Sequence, residues 1–125
     1  METESAVKAI AGLRIVMGAA AWLTPRMAAK GFGLKPAENP QAPYLGRLFG
    51  ARDVALGVGT LQATGESQRQ WLQLGVAIDA ADAVAAIAAG RAGYLPPVAA
   101  GLVFAPAVAG VALGVAALRG NGTPE

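Results

Sequence analysis

Six ionisable side chains, Arg14, Arg47, Arg52, Asp53, Asp79 and Asp82, sit within stretches otherwise made of Ala, Val, Leu, Ile and Gly. Those stretches are long enough to cross a bilayer, where a charged side chain costs about 2.5–3.5 kcal/mol on insertion scales. Three guanidiniums and three carboxylates cancel, so a buried network is expected in which Arg14 and Arg52 contact Asp79 and Asp82. Arg47 lies nearer the end of its stretch and can snorkel to the interface. The same groups offer acid–base chemistry. Asp79 and Asp82 are three apart, about 5–6 Å on a helix, and shared burial would leave one protonated as acid and one ionised as base. Such a pair could open an epoxide, isomerise a double bond or protonate an olefin without metal or histidine, with Asp53 as a third candidate catalytic carboxylate and Arg14, Arg47 and Arg52 as candidate binding groups.

Three readings of the cluster stand side by side. It can be a structural lock that fixes helix register. It can line a pocket that binds or transforms a lipophilic small molecule. It can also relay protons or ions, as intramembrane carboxylate chains do. The first reading makes the chain an accessory or structural membrane subunit, and the second leaves open whether it is an enzyme.

Composition narrows the field. The chain has 125 residues, 54% of them apolar, which is one domain with ample material to bury. Only 14% are charged, against roughly 25% in soluble domains, so the helices lack the polar outer faces that keep a soluble bundle dispersed. The net charge of +2 is scattered along the chain and gives no footprint for nucleic acid. There is no Cys and no His, which removes disulfides, thiol nucleophiles, histidine-ligated haem and ordinary zinc sites. No metal and no cofactor are expected. The expected partners are membrane lipid, a lipophilic small molecule, and a second copy or another membrane protein.

Four apolar spans can hold the cluster. The first, about 5–23, ends at Thr24-Pro25 because proline breaks the hydrogen-bond ladder, and it covers about 28 Å at about 1.5 Å per residue. An acidic opening (Glu2, Glu4) and the interrupting Arg14 favour a retained span over a cleaved signal peptide. The polar stretch from Arg26 to Pro43 reads as an interfacial loop with a short surface helix around 25–31, whose Met27 and Phe32 touch lipid. The second span runs over about 44–63. A turn at 64–67 follows, with Ser67 as N-cap of the third span, about 70–89, which ends at Gly90-Arg91-Ala92-Gly93. The fourth span, about 96–118, starts at paired prolines and is expected to kink at Pro106. Residues 121–125 read as a disordered tail. The expected fold is all-α, an integral membrane up-down-up-down four-helix bundle, and the basic residues of its loops do not decide its orientation.

Small residues suggest how the spans meet. Gly46, Gly50, Asp53 and Gly57 recur at spacings of four, three and four, as do Gly75, Asp79, Asp82 and Ala86, so each set shares one helix face. The two stripes are expected to pack against each other and to bring their carboxylates together. Gly110 and Gly114 form a GxxxG pair that reads as intramolecular packing ahead of a dimer face. Trp22, Tyr44, Trp71 and Tyr94 fall at span ends, as an aromatic belt would place them.

The segment Arg47-Leu-Phe-Gly50-Ala-Arg52-Asp53, followed by Gly57 and then by Asp79-Ala-Ala-Asp82, carries a resemblance. With Arg14 in the first span, the chain resembles the small four-span integral membrane proteins of the DoxX-like sort and related families of unknown function in actinobacteria, over roughly 6–118. The resemblance implies a four-helix membrane fold in a bacterial cytoplasmic membrane. DoxX-like proteins proper are associated with quinone-linked sulfur oxidation, and this chain has no cysteine to carry that chemistry.

Overall fold

Alanine and leucine dominate the long apolar runs, and proline or glycine stands at nearly every break between them, so helices form wherever the ladder is not interrupted. The computed structural model describes residues 2–121, and it is all-α. Five helices follow in order: α1 (Glu2–Leu23), α2 (Pro25–Gly31), α3 (Ala42–Gln62), α4 (Gly65–Ala92) and α5 (Pro97–Asn121). The short α2 is an element of its own, with its proline at the first helical turn. Helix α4 starts several residues before the expected 70, because Thr64 and not Ser67 takes the extended N-cap position. Gly93, in the left-handed conformation at φ 80°, ends it as expected. Helix α5 continues unbroken through Pro106 and includes Asn121, while residues 122–125 of the expected tail lie outside the described residues.

Three of these helices are long and apolar enough to cross a membrane: Thr3–Leu23, Gly65–Ala92 and Pro97–Gly120. Helix α3 is not among them, because its 21 residues carry Arg47, Arg52 and Asp53. Large apolar side chains cover the outside of the molecule, Val16, Leu23, Val84 and Val98 among them, each more than half exposed. In water such a surface would drive association, whereas hydrocarbon meets it at no cost.

The helices join as two tight pairs, α1 with α3 and α4 with α5. Helix α1 also packs along α5, while α3 and α4 touch only slightly. The backbones of α1 and α4 do not approach each other closely. This corrects the expected partnership of the two small-residue stripes. A Cβ at Gly50 would stand 2.5 Å from the carbonyl oxygen of Gly18, and one at Gly57 would stand 2.7 Å from that of Ala11. The α3 stripe therefore lets α1 in, not α4. The physical reason is volume: the Arg52–Asp82 pair spans from α3 to α4 and Arg14 reaches in from α1, whereas the small residues on the α1–α3 face let those two backbones close.

The two ends of the molecule differ. At the end holding the 62–65 turn, Val7, Ile10, Leu72 and Ala117 form a packed core joined by Leu113 and Leu118. There Trp71 lies against Gly59, so it closes the α3–α4 contact in addition to sitting near a helix end. Gln68 donates to the carbonyls of Thr60 and Ala63 and satisfies the last turn of α3. At the opposite end, α2 and the loop that follows it lie across the helix ends, and Gly33 (φ 77°) comes against Ala99 of α5.

The Gly18–Gly50 contact gives a direct test. Gly50→Val forces α1 and α3 apart and should cost about 3 kcal/mol or more, seen as a fall in folded yield and Tm in detergent. Gly12, with no atom near its missing Cβ, should gain about 0.5–1 kcal/mol on change to Ala. Equal effects of the two substitutions would contradict the close α1–α3 approach.

Candidate functional site

The charges of α1, α3 and α4 meet at mid-length, each brought there by helix register. Arg14, one turn before Gly18, reaches across the molecule to α4. Its Nη1 donates to Oδ1 of Asp79 at 3.2 Å and its Nη2 to Oδ2 at 2.5 Å, a bidentate pair with both residues buried. Two glycines make this reach feasible. A Cβ at Gly75 would lie 2.7 Å from Arg14 Nη2, and one at Gly110 would collide with the Asp79 carboxylate. The Gly110 and Gly114 pair thus serves packing inside the chain, Gly114 against Val76.

A second pair lies nearer the surface. Arg52 Nη2 donates to Asp82 Oδ2 at 2.8 Å and bridges α3 to α4, with the two side chains 39% and 31% exposed. The Arg52 guanidinium also lies 5.0 Å from the centre of the Phe49 ring, and its buried Nε has no acceptor. Arg14 and Arg52 therefore do contact Asp79 and Asp82, one each. Asp79 and Asp82 face different guanidiniums.

Asp53 is placed differently. It is only 5% exposed, yet it accepts no hydrogen bond from any described residue, and its nearest cation is Arg14 Nη1 at 3.8 Å. Arg47 takes no part in the cluster. Its Nε donates to the carbonyl of Trp22 at 3.0 Å and its guanidinium lies over the Trp22 ring, on the exposed face of α3. Among the described residues, no group of acidic side chains is disposed to hold a metal ion.

The cluster forms the floor of a cavity of about 490 Å³. Arg14, Asp53, Asp79 and Asp82 all line it, and its walls are otherwise apolar, from Leu13 and Met17 of α1, Phe49 of α3, Ala86 of α4 and Pro106 of α5. It extends from the cluster toward the end covered by α2. There Phe32 and Leu34 of the α2–α3 loop and Tyr94 and Leu95 of the α4–α5 turn line its wall. Phe32 thus faces inward, against the expected lipid contact, while Met27 points outward at 71% exposure. The loop residues of the cavity escape sequence reasoning because no periodicity governs them. Gly110 was within reach, since a glycine on the helix opposite a carboxylate signals room for it.

Residues 11–117 match the family described as a domain of unknown function (DUF4267). The chain belongs to that family. The match takes in the whole cluster and nearly all of the cavity wall. It agrees with a small membrane protein, and it does not single out DoxX-like proteins. No curated protein and no solved structure matches the chain.

The two ion pairs should separate energetically. Asp79→Leu strands Arg14 among apolar groups and should cost about 3–5 kcal/mol. Asp82→Leu should cost about 1–2 kcal/mol, because Arg52 lies at the margin and can turn away. Unfolding in detergent by titrated denaturant would read this order, and a reversed order would contradict the assignment of Arg14–Asp79 as the central pair.

Proposed function

We propose that this DUF4267 protein is an integral membrane protein that takes a lipophilic small molecule into the cavity and presents its polar end to the Arg/Asp cluster. The observation that carries this reading is the coincidence of an apolar cavity of about 490 Å³ with a charged floor. Ligand sites commonly occupy 300–1,000 Å³ and combine apolar walls with a few converging polar groups. A cluster that served only to lock helix register would have no need of hollow space beside it. In this reading the four long helices cross the bilayer in alternating directions, with α3 carried through by its pairing to α1 and by the neutralisation of its charges.

Within the cluster the roles divide. The Arg14–Asp79 pair is the fixed part, held by two hydrogen bonds and cradled by Gly75 and Gly110. Asp53 and Asp82 are the carboxylates that face the ligand. If chemistry occurs, Asp53 is the stronger candidate for a general base, since its oxygens are not committed to another donor. A DoxX-like relation and a bacterial cytoplasmic membrane remain part of this proposal, resting on the segment 47–53 and the Asp pair of α4.

A photoreactive alkyl diazirine without a polar head tests occupancy of the cavity. In lipid nanodiscs it should label Met17 and Leu13 in the wild type, together with outward residues such as Val84. Ala86→Phe, which fills the cavity, should remove the Met17 and Leu13 adducts and leave those on Val84. Unchanged labelling of Met17 in Ala86→Phe would overturn the reading of the cavity as a binding site.

A further inference from the structure

The cavity floor is unequal in charge, and that inequality specifies a ligand. Among the described residues, three carboxylates line the cavity, whereas two guanidiniums, those of Arg14 and Arg52, belong to the cluster. Both cations are committed, Arg14 to Asp79 through two hydrogen bonds and Arg52 to Asp82. Asp53, 5% exposed and on the cavity wall, shares Arg14 with Asp79 through a longer ion pair of 3.8 Å and has no donor in hydrogen-bond reach among the described residues. Buried polar groups accept or donate hydrogen bonds in the great majority of native sites, and a carboxylate so little exposed that has a neighbouring cation but no hydrogen bond is under-satisfied. A donor that completes it can come from the cavity it lines.

The bilayer sharpens this requirement. An alkyl tail gains little by moving from lipid into an apolar cavity, because lipid tails are as apolar as the cavity walls. Selection among membrane solutes must therefore come from the polar end. A head that donates a hydrogen bond meets a waiting acceptor, whereas an anionic head meets an excess of carboxylates and no uncommitted cation among the described residues that line the cavity. We infer that the cavity selects single-tailed amphiphiles whose head donates hydrogen bonds, an ammonium ahead of a hydroxyl, and that Asp53 is the acceptor. This inference rests on the cavity being the binding site proposed above.

The test is competition. Decylammonium, decanol and decanoate share one chain length and differ only in the head. Each is titrated against diazirine labelling of Met17 in phosphatidylcholine nanodiscs at neutral pH, with Ala86→Phe as the blank. Decylammonium should compete at a concentration at least tenfold below that of decanoate, with decanol between them. In Asp53→Asn, which keeps the shape and removes the charge, the amine-over-carboxylate ratio should fall to about threefold or less. Equal competition by the three heads, or a preference for decanoate, overturns the head-group assignment while the cavity reading stands. A preference retained in Asp53→Asn overturns Asp53 as the acceptor. Should Asp53→Asn fail to fold, the order of the three heads on the wild type decides the head-group assignment, and Asp53→Ser takes its place in the test of the acceptor. Absence of Met17 labelling by the diazirine removes both the cavity reading and the inference built on it.

Discussion

The Arg14–Asp79 pair is the constraint on which the rest of the molecule depends. Helices α1 and α4 lie across from each other with no close backbone approach, and this pair joins them at mid-length, beyond the packed core that Val7 and Ile10 share with Leu72. Its geometry demands space on both sides. Gly75 yields to the guanidinium and Gly110 to the carboxylate, so two helices are shaped around one interaction. A bidentate pair in a low-dielectric interior also fixes rotation, because turning either helix by one residue would separate the two forks. The register of α1 against α4, and through α5 the placement of the whole set, follows from it.

From that pair the molecule divides into a solid half and a hollow half. Toward the 62–65 turn, Val7, Ile10, Leu72 and Ala117 fill the interior, and Trp71 closes over Gly59. Toward α2 the same helices enclose a cavity, and small residues such as Ala85, Ala86, Ala89 and Ala107 leave it unfilled. Alanine is a good helix former with almost no side chain to contribute to packing. An alanine-rich sequence can therefore build long straight helices and still leave a void between them. The apolar content that reads as material for a core in the sequence is, in half of the molecule, the wall of a container.

The charge network was legible in the sequence for a simple reason. Charges embedded in apolar stretches must find opposite charges, and the supply of each sign on α1, α3 and α4 restricted the pairing to a few solutions. The positions of Arg14, Arg52, Asp79 and Asp82 followed from that. The neighbour relations did not follow. Two small-residue stripes with identical spacing suggested a mutual fit, yet Gly50 serves α1, and periodicity along one helix says nothing about which other helix arrives at its face. The role of Phe32 was missed for a different reason: a loop residue has no period, and its inward turn is set by α2 and the contact of Gly33 with α5. Asp53 lay in plain view as a third carboxylate, and simple neutrality of six charges hid that Arg47 would leave the cluster for Trp22.

Helices α3 and α4 are held along the hollow half chiefly by Arg52 and Asp82, while each is clasped tightly by its own partner helix. An interhelical polar contact in a bilayer averages about 0.6 kcal/mol, close to thermal energy at room temperature. The seam between the two pairs is accordingly the least tightly bound edge of the bundle. On the function proposed above, a solute dissolved among acyl chains would slip in there edgewise, and its stay would follow the rhythm at which one guanidinium and one carboxylate part and meet again.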